Sequence, residues 1–240
     1  MIRAVLFDMG GTLDGEGLHW LDRFVDLYQQ AGSDLPRERV RSAFDAAEAR
    51  AAADDDITGA GIDVMATRHV GWQLEHLGIA DAMLADRLVR SFVAPIRAAA
   101  AENRPLLAEL AGRGFLLGVV SNGCGNVDVL CRDYGYSTFL STIVDSRRAG
   151  ISKPDPRIFE LAAARLGVAP ADTLVVGDSF DRDMLPARRA GMSTAWLQPA
   201  GDPAPDPTVV DVHLRRLADL PRVLLRFPAA GPIALRQSAS

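Results

Sequence analysis

Seven side chains stand beside short apolar runs in this sequence: Asp8, Thr12, Ser121, Asn122, Lys153, Asp178 and Asp183. Several carboxylates, one ammonium group and a few neutral oxygens suit a hard cation with an anionic substrate. Magnesium takes oxygen ligands from one or two carboxylates plus phosphate oxygens. An ammonium group offsets phosphate as a point charge. A carboxylate can also act as the nucleophile and form an aspartyl-phosphate. Each residue alone has an ordinary reading. An Asp after a strand is more often a turn residue or helix cap, and Ser-Asn-Gly is a common turn. Lys153 is the only lysine in the chain. That is either codon bias with one survivor or a position that needs an ammonium group.

These residues converge only if the runs before them share a sheet. Ala4 to Phe7, Phe115 to Val120, Thr173 to Val176 and Ser193 to Leu197 read as buried strands, with Thr142 to Val144 weaker. Val209 to His213 reads as a final edge strand and Leu217 to Arg226 as a closing helix. Helical stretches alternate with the strands, which predicts an α/β fold with a Rossmann-like parallel sheet. Asp155 and Pro156 open one helix, and Gly167 ends it. Ligands of such sheets bind at the carboxyl ends of the strands, where the seven side chains fall.

Residues 15 to 102 are too many for a simple crossover. Apolar residues recur there at helical spacing: Leu18, Leu21, Val25, Tyr28; Val40, Phe44, Ala47; Trp72, Leu74, Leu77; Leu84, Leu88, Phe92, Ile96. The interval predicts an inserted all-helical cap at 15–102, leaving 1–14 and 103–228 as the core and 229–240 as a flexible tail. Pro199 to Pro207 reads as a surface loop.

Composition sets bounds. The 240 residues are 48% hydrophobic and 24% charged, with net charge −5. That describes an ordinary globular chain. There is no basic stripe, so nucleic acid is not an expected partner. No apolar run is long enough for a bilayer, and no signal-like segment is visible. Cys124 and Cys131 would lie about 10.5 Å apart along a helix, too far for a disulfide. Free thiols predict a cytoplasmic location.

Four ordered segments resemble the haloacid dehalogenase (HAD) superfamily: Phe7-Asp8-Met9-Gly10-Gly11-Thr12-Leu13, Val119-Val120-Ser121-Asn122, Gly150-Ile151-Ser152-Lys153-Pro154-Asp155-Pro156, and Val176-Gly177-Asp178-Ser179-Phe180-Asp181-Arg182-Asp183. The resemblance implies Asp8 as nucleophile and magnesium ligand, with the Gly10 carbonyl and Asp178 as further ligands. Asp183 would support the metal or Lys153. Gly11, Thr12, Ser121 and Asn122 would position the phosphoryl oxygens, and Lys153 would neutralise charge. The expected activity is magnesium-dependent hydrolysis of a small phosphorylated metabolite.

The sequence departs from the family at Gly10, where phosphatases usually carry a second Asp as general acid and base. Such a group contributes about 10²–10⁴-fold. Asp14, Glu16 or His19 could substitute, the substrate could need little acid assistance, or the chain could bind phosphate without turnover. The dehalogenase branch also lacks this Asp, but it is metal-free and lacks the Gly177-Asp178 pair. Cys124 follows the Ser-Asn-Gly turn and reads as a small filler.

Overall fold

Ala4-Val5-Leu6-Phe7 has no polar side chain, so its backbone must be paired and covered on both faces. In the computed structural model, which describes residues 1–198 and 206–225, it is β1 (Ala4–Phe7), fully buried at the middle of a sheet. Five more strands follow: β2 (Leu116–Ser121), β3 (Leu140–Asp145), β4 (Thr173–Gly177), β5 (Ser193–Leu197) and β6 (Val212–Leu214). They are all parallel, in the order β3-β2-β1-β4-β5-β6. The expected Rossmann-like α/β fold is present. The edge strand begins three residues later than its pattern suggested. Most of the Pro199 to Pro207 stretch and the expected tail at 229–240 lie outside the described residues.

The sheet alternates its apolar side chains. Val5, Phe7, Leu117, Val119, Leu174 and Val176 face one layer. Leu6, Val120, Val144 and Val175 face the other, against α7 (Arg157–Leu166) and α8 (Leu185–Arg189). Each fully buried Val, Leu or Phe contributes roughly 1.5–3 kcal/mol. Asp155 accepts from the Arg157 N–H at 3.0 Å and caps α7 as expected, while Pro156 stands just outside the helix. The other core helices are short: α5 (Val127–Asp133), α6 (Ser146–Ala149) and α9 (Leu220–Leu224). The expected closing helix is thus a turn over Leu217–Asp219 followed by α9.

Four helices separate β1 from β2: α1 (Trp20–Gln30), α2 (Arg37–Ala53), α3 (Ile62–Leu77) and α4 (Ala82–Gly112). Their apolar stripes close on Phe24, Phe44, Val70, Leu88 and Phe92. Gly78 ends α3 in the left-handed conformation, φ 71°. α4 contains Pro95 and Pro105, and each removes a helical donor. The sequence division expected between 102 and 103 falls inside this one helix.

α4 also ties the helical layer to the first strand's loop. Asn103 Nδ2 donates to the Leu13 carbonyl at 3.0 Å, and the Tyr136 hydroxyl donates to the same oxygen at 2.9 Å. Leu13 is fully buried, so this oxygen has no water to turn to. Asn103→Leu or Tyr136→Phe alone leaves one partner and should cost about 1 kcal/mol. The double variant strands the carbonyl and should cost about 1–3 kcal/mol beyond the sum. Urea unfolding midpoints measure this, and strictly additive losses would contradict it.

Candidate active site

Strand order reverses about β1, with β2 on one side and β4 on the other. Phe7, the last residue of β1, is level with Val119 and with Val176; β2 runs two residues further, to Ser121, and β4 one, to Gly177. The residues after them therefore meet at one edge. Asp8 follows β1 and keeps a main-chain bond to the Val176 carbonyl at 2.9 Å. Ser121 ends β2, and Asp178 follows β4. Lys153 comes from the loop before α7. These side chains line a cavity of ≈ 300 Å³ whose other wall is Trp20, Phe44 and Met65.

One buried ammonium group organises the floor. Lys153 Nζ donates to Asp8 Oδ1 and, at 2.7 Å, to Asp183 Oδ1. Burial alone would lower the Lys153 pKa, but Asp183 and then Asp8 outweigh it and hold it above the ordinary value. Asp8, Asp178 and Asp183 offer oxygens within 4.8 Å of one another. Three carboxylates around one ammonium leave excess negative charge. Burial pushes Asp183 up to about 6, Asp8 adds to this and Lys153 opposes it. Asp178 is raised by burial and then by Asp8 and Asp183. A hard divalent cation among these oxygens would remove the repulsion, so the donor set fits one.

Side-chain partners sort the expected residues. Thr12 Oγ1 lies 2.9 Å from Asp178 Oδ1 and 3.4 Å from Asp8 Oδ2, linking the two carboxylates. Asp183 has both oxygens engaged, since Oδ2 accepts from the Ser179 N–H at 3.1 Å. It holds Lys153 rather than standing free. Asn122 is similar: its Nδ2 donates to the Lys153 carbonyl at 2.9 Å, and its Oδ1 accepts from the Lys153 N–H at 2.8 Å. Both ends of its amide fix the lysine's main chain, while the residue itself lines the cavity. Ser121 is buried and lines the cavity.

Two glycines leave room that a side chain would fill. A Cβ on Gly11, at φ +93°, would lie 2.6 Å from Asp178 Oδ2. A Cβ on Gly177 would lie 2.5 Å from the Asp183 carboxyl carbon. Gly10 is different. Its φ is −75°, open to any residue, and its Cβ would stand 3.5 Å from Trp20 Nε1, an ordinary contact. The Trp20 indole covers this position from the cavity's far wall.

The three candidate substitutes for an acid at Gly10 separate clearly. Glu16 turns to the Leu217 N–H at 3.4 Å, and neither it nor Asp14 lines the cavity. Asp14 is fully buried. Its Oδ1 accepts from the Gly11 N–H at 2.7 Å and its Oδ2 from Trp20 Nε1 at 3.1 Å. It shapes the loop and holds Trp20 over Gly10. His19 does line the cavity, but its Nδ1 caps α1 by accepting from the Leu21 N–H at 3.1 Å, and its Nε2 lies 2.5 Å from Arg182 Nη2. Burial and then Arg182 lower its pKa, which keeps the ring neutral. With Nδ1 accepting, the neutral ring keeps its one proton on Nε2, against Arg182, and a neutral imidazole is a poor acid.

Sequence reading missed three residues here. Asp145 accepts from the N–H groups of Gly125 at 2.9 Å, Val127 at 3.2 Å and Arg147 at 2.9 Å, which sets the loop after Asn122. Arg147 Nη1 donates to the carbonyls of Asp54 at 2.8 Å and Cys124 at 3.1 Å, and Asn126 Nδ2 to that of Ala60 at 3.0 Å. Arg147 and Asn126 thereby tie the α2–α3 connection to the loop after β2. The signal available was only charge at the end of a weak strand. Cys124 and Cys131 are free and buried, and burial pushes each thiol up to about 12. Cys124 is therefore an unreactive filler.

A family model described as a haloacid dehalogenase-like hydrolase matches residues 2–191, from β1 through the fourth motif. A glyceraldehyde 3-phosphate phosphatase of Methanopyrus kandleri is 38% identical over 127 residues, 50% of this chain and 52% of that protein. A phosphoserine phosphatase of Thermus thermophilus is 34% identical over 128 residues, 52% of this chain and 49% of that protein. The chain thus spans about half the length of the curated relatives it matches. The solved structure of a HAD phosphatase from Thermococcus onnurineus shares the fold, with TM-score 0.57 and 21% identity over 93% of this chain and 98% of that one. Among the described residues, no helix is long and apolar enough to cross a membrane.

Asp14 yields a pH test. Burial, its largest cause, raises its pKa from 3.8 to about 6. A carboxyl raised in the folded state favours folding when protonated. That contribution is full below about pH 3.8 and is lost as pH rises through about 6. Between these limits the wild type should lose up to about 3 kcal/mol relative to Asp14→Asn. Denaturant titrations at each pH measure the gap, and a gap independent of pH would contradict the assignment.

Proposed function

The chain belongs to the haloacid dehalogenase-like hydrolase family, and on that premise we propose that it is a magnesium-dependent phosphatase that hydrolyses a small phosphorylated metabolite through an aspartyl-phosphate on Asp8. The observation that carries this reading is the Asp8 carboxylate on the cavity floor, paired with the buried Lys153 ammonium beside Asp178 and Asp183. Relatives named for glyceraldehyde 3-phosphate and phosphoserine support the substrate class.

Asp8 attacks phosphorus, the bond to the leaving oxygen breaks, and the phosphoryl group passes to the carboxylate. Water then attacks phosphorus, the bond to Asp8 breaks, and inorganic phosphate leaves. Lys153 offsets charge on Asp8 and on the phosphoryl oxygens. Thr12 orients Asp8 against Asp178, and Ser121 stands where it can take a phosphoryl oxygen. Asn122 and Asp183 hold Lys153 in line. Asp8, Asp178 and the Gly10 carbonyl are the groups that would hold Mg²⁺, which when bound supplies charge neutralisation at the phosphoryl group. Positioning and charge are the main sources of rate in phosphoryl transfer. Gly177-Asp178 favours this reading over metal-free dehalogenation.

No residue near Gly10 is set to protonate the leaving oxygen. Of the explanations for Gly10, a substrate that leaves with little acid assistance fits best. With Mg²⁺, the wild type should release phosphate from acetyl phosphate and p-nitrophenyl phosphate far faster than from sugar phosphates. Gly10→Asp should raise sugar-phosphate turnover by about 10-fold or more, within the range of a positioned acid. Chelation should stop both reactions. No phosphate release from any of these esters would leave a non-catalytic phosphate-binding protein as the reading.

A further inference from the structure

The helical wall of the cavity carries a buried polar chain that the phosphoryl chemistry does not use. Glu48, on α2, lines the cavity and accepts from His69 Nε2 at 2.9 Å. Gln73 Nε2 donates to His69 Nδ1 at 2.8 Å. With Nδ1 accepting, the ring proton sits on Nε2 and points at Glu48. His69 and Gln73 are almost completely buried, at 2% and 0% exposure. His69 stacks on Phe24 at 5.5 Å and tilts against Phe44 at 5.1 Å. The chain ends on Gln73 Oε1, which has no partner.

Two polar side chains inside an aromatic cluster are expensive to bury. Apolar residues of similar size would pack the same helices at lower cost. What His69 and Gln73 do is hold one carboxylate of the cavity wall in one orientation. Asp45, three residues before Glu48 and so on the same helix face, lines the cavity too. Among the described residues, no ion pair is made by Asp45, and Glu48 pairs only with His69. The α2 side therefore presents two carboxylates, next to the rings of Phe44 and Trp20. The basic side chains that line the cavity are Lys153, occupied by Asp8 and Asp183, and Arg182, which lies against His19, whose ring meets that of Phe44 edge-on at 6.0 Å.

We propose that Glu48, oriented by the buried His69–Gln73 chain, selects substrates whose leaving group carries an ammonium group. This rests on the phosphatase reading and adds the substrate class to it. The ammonium sits between Glu48, Asp45 and the aromatic faces, which also attract cations. The phosphate is held at Lys153. A positive charge a few ångströms from the departing oxygen makes that oxygen easier to release. The selectivity therefore agrees with glycine at position 10.

The test compares a matched pair, 2-aminoethyl phosphate and 2-hydroxyethyl phosphate, with p-nitrophenyl phosphate as reference. Wild-type kcat/KM should favour the amine by about 10- to 100-fold, the range for a hydrogen bond to a charged group. Glu48→Gln, which keeps size and removes charge, should erase most of the preference, chiefly through KM. Glu48→Lys should turn it toward phosphoglycolate, which carries a carboxylate instead. Turnover of p-nitrophenyl phosphate without an amine preference in the wild type, or with a preference unchanged in both variants, would overturn the inference and leave the phosphatase intact. No turnover of any ester, the reference included, would overturn both.

Discussion

A single buried ammonium group among three carboxylates is the constraint on which this structure turns. Burying charge without compensation costs several kcal/mol per ion. Lys153 meets that demand for Asp8 and Asp183, and much of the surrounding chain serves to put it there. Asn122 grips the lysine's main chain from both sides. Ser179 fixes the second oxygen of Asp183. Gly11 and Gly177 keep space clear where any Cβ would strike Asp178 or Asp183. The sheet itself is arranged to the same end. β1, β2 and β4 end within two residues of one another at the same edge, so residues from three distant segments meet there.

The loop after β1 carries the second theme. Asp14 is buried, bonded to the Gly11 N–H and to Trp20, so the indole lies over Gly10. Position 10, where the family resemblance leads one to expect a proton-transferring carboxylate, is a glycine roofed by an aromatic ring. The backbone does not demand glycine there. On the proposed phosphatase reading, the change belongs to the chemistry of the leaving group. The cavity answers from its other wall, where α2 supplies fixed negative charge through Glu48.

Much of this was legible in the sequence, and the reasons are physical. β1, β4 and β5 are short apolar runs bounded by polar turns, and period and punctuation fix such strands closely. The convergence of Asp8, Ser121, Lys153 and Asp178 follows from a parallel sheet whose ligands gather at its carboxyl edge. The lone lysine was a compositional signal that fell on the cavity floor. Other features were not legible. A proline inside a helix removes a donor, yet tertiary packing carries the 31 residues of α4 through both Pro95 and Pro105. That both ends of the Asn122 amide grip the Lys153 main chain could not be read from sequence, because the two residues are brought together only by the fold. Asp14 stood out only as a candidate substitute acid, because its burial and its bonds to the Gly11 N–H and Trp20 arise only in the folded chain. The Glu48–His69–Gln73 chain spans two helices, and neither helix alone marks it as more than a polar residue on an amphipathic face.

The most direct test of the account is to trap the intermediate. Rapid acid quench of a single turnover with acetyl phosphate and Mg²⁺, followed by peptide mass spectrometry, asks where the phosphoryl group goes. The account predicts one added phosphoryl group on the peptide containing Asp8, sensitive to hydroxylamine and absent from Asp8→Asn. Phosphate released at full rate with no covalent adduct, or an adduct on any other residue, would contradict it.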